Sequence, residues 1–257
     1  PCIIHSNALN TINNEPNKDL AFYLAENAFY HLFLIVNLAF PNSLDMYDAY
    51  CVTRYSNRTY KHKLGLSASM FGFRRNGWPN TKTLPIDICY KWFKSLNIGI
   101  RQISQTNIER ALFSLLHVAH QQHGINPTDI IWIAHALEAL YDTPNNSVSK
   151  ILKDRIFLVL GSPKDLNKYK RKIDEFYIMR SRLVHGDMEI ISPCNNSLFD
   201  IDFDDFVFKM IESIDFGTKL VVATIQKMIL EGWTNIGFRE SLVLAGNSGT
   251  GHEKGSQ

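Results

Sequence analysis

Apolar residues recur at helical spacing through most of the second half of the chain. Ile108, Leu112, Leu115 and Leu116 form one stripe of a helix predicted over Asn107–His123, with Gly124 as its stop. Asn126-Pro127-Thr128 opens the next, Asp129–Tyr141, because proline is tolerated in a first turn. Ser147–Leu160 follows and ends at Gly161-Ser162-Pro163. Tyr169, Ile173, Phe176, Tyr177 and Met179 then lie on or near one face of a helix from about Lys164 to Val184, with Gly186 as the left-handed cap beyond it. The last helix is predicted from Asp202 to Trp233, with a bend at Gly217.

The first hundred residues read differently. A helix is expected over 17–40, stopped by Pro41, and a short one over Ile86–Leu96. Between them, residues 44–83 mix aromatic and β-branched residues with Gly65, Gly72, Gly77 and Pro79 and hold no 3.6 period, which predicts an irregular or hairpin-bearing insertion. The fold class expected is mainly α: an up-and-down bundle of about five helices over 104–244, after a smaller mixed or irregular N-terminal module, 1–103. Residues 245–257, rich in Gly and Ser, read as a disordered tail.

Composition narrows the class of protein. At 257 residues, 45% hydrophobic and +2 in net charge, the chain can bury a real core and carries no polybasic coat. Nucleic-acid affinity therefore has to come from a local cluster of cations. Leu20–Phe40 is long enough to span a membrane but contains Glu26, Asn27, His31 and Asn37, so it reads as a buried core helix. Pro1–His5 shows no cationic and cleavable leader, and Cys2, Cys51, Cys89 and Cys194 form no C-x-x-C pair. A cytoplasmic chain with free thiols is expected.

The segment Phe176–Asp187 sets Arg180, Ser181 and His185 at the end of an otherwise apolar helix. An imidazole exchanges protons near neutral pH, and a guanidinium holds developing phosphate charge through a rigid fork of donors. The pair suits RNA cleavage without metal or other cofactor. The 2′-hydroxyl attacks the adjacent phosphate, Arg180 stabilises the phosphorane, and the imidazolium protonates the leaving 5′-oxygen, leaving 2′,3′-cyclic phosphate ends. Five residues along an ideal helix, however, turn the side-chain direction by about 140° and advance it by roughly 7.5 Å. Either the last turn unwinds before Gly186, or two copies of the helix pool their residues across a two-fold axis. The alternative without chemistry has His185 at a helix C-terminus, where the dipole favours a cation, and Arg180 paired with a carboxylate.

Arg180-x4-His185 resembles the R-x4-6-H signature of the HEPN superfamily of helical ribonucleases. Tyr177-x-x-Arg180-Ser181-x-x-Val184-His185-Gly186 is similar to the fuller form in its Apea-like branch. Asp129–Leu140, with Ala136-Leu137-Glu138-Ala139-Leu140, resembles the preceding helix of that family, and Arg155 falls in the next helix, where the family often has an arginine. The resemblance covers roughly residues 105–235 and implies a five-helix architecture, an RNA substrate, Arg180 and His185 as the catalytic pair and Ser181 as an auxiliary donor. It further implies a homodimer in microbial stress response or antiphage defence, held silent by an inhibitory or sensor partner. Glu138 either orients Arg180 across the bundle or pairs with Arg155 or Arg182. The family also includes inactive dimerisation and nucleotide-binding modules.

Three other groupings compete. His117, His120 and His123 recur every three residues, a spacing that can hold a metal, but no carboxylate accompanies them, and ordinary rim histidines are expected. Asp200, Asp202, Asp204 and Asp205 suit capping of the last helix better than a cation site. In the insertion, Arg54, Arg58, Lys61, Lys63, Arg74, Arg75 and Lys82 occur with no acid between Ala49 and Ile86, interleaved with Tyr55, Tyr60, Phe71, Phe73 and Trp78. That combination either grips RNA by phosphate contact and base stacking or is a solvated loop anchored by its aromatics.

Overall fold

In the computed structural model, residues 11–12, 15–16, 18–53, 56–66, 77–120, 126–143, 148–190 and 201–239 are described. Two short strands, β1 (Thr11–Ile12) and β2 (Glu15–Pro16), pair antiparallel ahead of α1 (Lys18–Ala39). A hairpin of β3 (Met46–Thr53) and β4 (Ser56–Leu64) follows. Then come α2 (Ile86–Ser95), α3 (Asn107–Ala119), α4 (Thr128–Leu140), α5 (Val148–Leu160), α6 (Leu166–His185) and α7 (Ile201–Glu231). The protein is mainly helical, and the insertion carries the hairpin. The predicted tail, 245–257, lies outside the described residues, as do residues 121–123 at the predicted end of α3 and its stop at Gly124.

α1 is a core helix: Phe33, Leu34, Leu38 and Ala39 are buried, and no helix among the described residues is long and apolar enough to cross a membrane. Its polar interruptions have local uses. Buried Asn37 donates to the Phe33 and Leu44 carbonyls at 3.2 and 2.9 Å and accepts from the Leu44 amide, tying down the turn that Pro41 forces. His31 packs on Phe93 of α2, ring centroids 4.9 Å apart.

α7 is the axis of the bundle. Nearly every residue from Ile214 to Ile229 is buried, because α4, α5, α6, α1 and α2 all pack on it. Gly217 is the point of closest approach. A Cβ there would stand 2.7 Å from Ile133 Cγ2 of α4 and 2.8 Å from Phe176 Cε2 of α6. The predicted bend thus corresponds to a packing requirement, and α7 is one helix through this position. Tyr141 and Thr224, both buried, bond at 2.7 Å between the end of α4 and α7.

The N-terminal elements share this core. One buried cluster runs from Phe33 through Leu64, Leu84 and Trp92 into the bundle and on to Ile236. Gln226 of α7, itself buried, accepts from the Lys82 amide and donates to the Leu38 and Lys82 carbonyls, so the end of the insertion is threaded between α1 and α7. Gly65 donates to the Ala119 carbonyl at the end of α3, which docks the base of the hairpin.

Candidate functional site

α3 starts on a capping box, in which Thr106 and Glu109 satisfy each other's backbone amides, and Arg101 neutralises the fully buried Glu109 carboxylate at 3.0 Å. α3 packs along α4, and α4 packs on α6. α6 ends where Gly186 takes φ 79°, while Gly186 and Asp187 donate their amides to the Arg182 carbonyl. Arg182 returns two bonds from its guanidinium to the Asp187 carbonyl, at 3.2 and 3.0 Å.

Among the three candidate arginines, Glu138 faces Arg180, with Nη2 and Oε1 3.9 Å apart. Arg155 instead donates to the Tyr141 and Asp142 carbonyls at the end of α4 and stacks on Phe238 at 4.4 Å. Burial pushes the Glu138 carboxyl above the usual carboxylate range, opposed by Arg180 and His135. Tyr177, one turn before Arg180, is buried beside Glu138, and its hydroxyl is driven well above its ordinary range by burial first and the carboxylate second. Neither the Tyr177 hydroxyl nor Arg180 Nε has a partner of standard hydrogen-bond geometry, and at 3.9 Å the ion pair is loose. Arg180 keeps 37% of its side chain exposed, while its Nε is buried.

His185 is the last residue of α6 and is exposed, as is Ser181. The helix is unbroken from Arg180 through His185, so the unwinding that would swing the imidazole back does not occur. Backbone hydrogen bonding holds the last turn up to the Gly186 cap. The angular offset of about 140° therefore stands. Arg180 lies at the edge facing α4, and His185 shares the outward face with Ser181 and Ile178, the latter 59% exposed.

Sequence reading assigned no role to His135. It lies one turn before Glu138 on α4, is exposed, and its Nδ1 is 2.7 Å from Ser114 Oγ of α3. A face-by-face reading of α4 would have found it, since positions three apart are neighbours. His117 stacks on Trp132, centroids 4.0 Å apart and planes 8° apart, and burial, His120 and His135 together push it below the ordinary histidine range. His120 caps α3, and His123 lies outside the described residues. No three His, Cys, Asp or Glu gather as a ligand set among the described residues.

Of the insertion's cations, Arg54, Arg74 and Arg75 lie outside the described residues. Arg58 and Lys61 fall within β4, and Lys63 is half-buried near its end. Trp78 is a packing residue: it stacks on Phe157 at 5.2 Å, meets Tyr169 edge-on at 5.1 Å, and donates from Nε1 to the Gly161 carbonyl at 3.0 Å. In the acidic group, Asp200 lies outside the described residues, Asp202 and Asp204 belong to the first turn of α7, and Asp205 pairs with Lys209 at 2.6 Å. A cavity of about 380 Å³ between α1 and α3 is bordered by Tyr23, Tyr30, His31, His117 and His120, and one of about 460 Å³ lies between α6 and α7. Neither includes Arg180 or Glu138.

No family model matches the chain, and no curated protein or solved structure is significantly similar to it.

Proposed function

We propose that the chain is a metal-independent endoribonuclease of the HEPN type, with an Apea-like domain over 104–244 that cleaves RNA by 2′-hydroxyl attack and leaves 2′,3′-cyclic phosphate ends. The observation that carries the reading is Arg180: a guanidinium facing the Glu138 carboxylate between α6 and α4, with more than a third of its side chain exposed. Its working form is a homodimer. His185 protonates the leaving oxygen at the Arg180 of the second copy, because one straight helix turns the two residues apart. Ile178 on the His185 face of α6 and Val184 one turn beyond Arg180 supply apolar surface for such a contact, at 59% and 51% exposure. The setting is cytoplasmic stress response or antiphage defence, with an inhibitory or sensor partner controlling the activity. Arg54, Arg58, Lys61, Lys63, Arg74 and Arg75 grip the RNA backbone.

A second reading, a catalytically silent RNA- or nucleotide-binding module, is favoured by the same separation of Arg180 from His185 within one chain. Incubating the full chain with mixed RNA in EDTA separates the two. The nuclease produces cyclic-phosphate ends, and Arg180→Ala and His185→Ala each lower the rate by about 10²-fold or more while helical circular dichroism is retained. Binding without cleavage, or losses of only a few-fold, refutes the nuclease.

A further inference from the structure

A guanidinium and one imidazole leave RNA cleavage short of a group: one proton must be removed from the 2′-hydroxyl and another delivered to the 5′-oxygen. The tertiary structure supplies a second imidazole, held through Nδ1 by the Ser114 hydroxyl. Ser114 is buried, and its hydroxyl carries a single hydrogen. That hydrogen goes to the Arg110 carbonyl, 2.8 Å away, which can only accept. With that hydrogen on the Arg110 carbonyl, the 2.7 Å contact between Ser114 Oγ and His135 Nδ1 takes its hydrogen from the ring. Neutral His135 holds a proton on Nδ1 and a lone pair on Nε2, the form required of a general base.

The ring also stands in the right company. His135 precedes Glu138 by one turn on the same face of α4, and Glu138 Oε1 is 3.9 Å from the Arg180 guanidinium of α6. Among the described residues, the charged and titratable groups around it include His117 from α3, Glu138 on its own helix, and Arg180 and Tyr177 of α6 beyond the carboxylate.

We infer that His135 is the general base of this site, an inference that rests on the ribonuclease reading above. Nε2 takes the proton of the 2′-hydroxyl as its oxygen bonds to phosphorus. Arg180 holds the phosphorane, and the bond from phosphorus to the 5′-oxygen breaks as the His185 imidazolium of the second copy protonates that oxygen. Ser114 is a positioning residue: it fixes the tautomer and the plane of the ring.

His135 is exposed, so His135→Gln leaves the core intact. It is expected to lower kcat by about 10²–10⁴. A ribonucleoside 3′-(4-nitrophenyl phosphate), whose leaving group needs no proton, distinguishes base from acid. His185→Ala regains activity on it, and His135→Gln stays slow. If His135→Gln is within a few-fold of wild type while Arg180→Ala is inactive, the inference falls and the ribonuclease reading stands. If wild-type protein cleaves no RNA, both fall. Nitrogen-15 spectra of the imidazoles test the proton assignment independently of activity: protonated Nδ1 in neutral His135, lost in Ser114→Ala, supports it, and the opposite tautomer overturns it.

Discussion

Gly217→Ala tests whether α7 is as tightly engaged as its closest approach implies. In an unconstrained helix interior the change would stabilise, since alanine is favoured over glycine by about 1 kcal/mol. Here the added Cβ meets Ile133 Cγ2 at 2.7 Å and Phe176 Cε2 at 2.8 Å. Ile133 is fully buried and Phe176 is 1% exposed, so neither can turn toward solvent to make room. Overpacking a filled core costs typically 1–3 kcal/mol, and two rigid walls place this site near the top of that range, about 3 kcal/mol. The net expectation is about 2 kcal/mol of destabilisation, or a Tm lowered by roughly 4–8 °C for a chain of this size. Urea unfolding with an unchanged m-value gives the number. In an Ile133→Ala background the methyl gains space, and Gly217→Ala should cost less than in the wild type. Phe176 sits on α6 one turn before Arg180, so cleavage should fall along with stability. A Tm that stays level or rises would refute the reasoning and identify the position as a bend that tolerates any residue.

The composite site predicts complementation: equal amounts of Arg180→Ala and His185→Ala, each inactive alone, should recover about a quarter of wild-type activity through mixed dimers, and no recovery would argue against pooling across a two-fold axis. Ile178→Glu should shift the sedimentation coefficient from two chains to one at micromolar concentration and lower activity with it. Reversing Arg74 and Arg75 to Glu should weaken RNA binding and reduce the magnitude of the log–log salt slope by about 0.7 for each phosphate no longer neutralised, whereas an unchanged slope makes the insertion a solvated surface. Asp129 is 3% exposed at the start of α4, and burial raises its carboxyl to about 7. Its folded-state pKa lies above the unfolded value, so the folded protein retains a proton that the unfolded chain releases. Stability should therefore decline as pH rises from about 4 to 7, by at most about 4 kcal/mol, and Asp129→Asn should flatten that slope in denaturant titrations.

The helices were legible because their signals are local. The 3.6 period of Ile108, Leu112, Leu115 and Leu116, and the stops at Gly161 and Gly186, depend on residues a few positions apart, and those glycines take the left-handed φ of 78° and 79° that their positions ask for. The hairpin within 44–83 was legible only as a loss of helical period. Arg180 and His185 could be picked out as chemically able groups, and their separation around the helix follows from its geometry alone. Which partners such groups meet is another matter, because it depends on faces of helices brought together from distant parts of the chain. Glu138 had three arginines to choose among. Arg155 was drawn to the Tyr141 carbonyl and Arg182 to that of Asp187, and the packing of α4 on α6 placed Arg180 beside the carboxylate. Trp78 read equally well as a stacking platform until Phe157, Tyr169 and Gly161 closed around it. His135 was an unremarked polar position on α4, and only the approach of Ser114 from α3 gives its Nδ1 a partner.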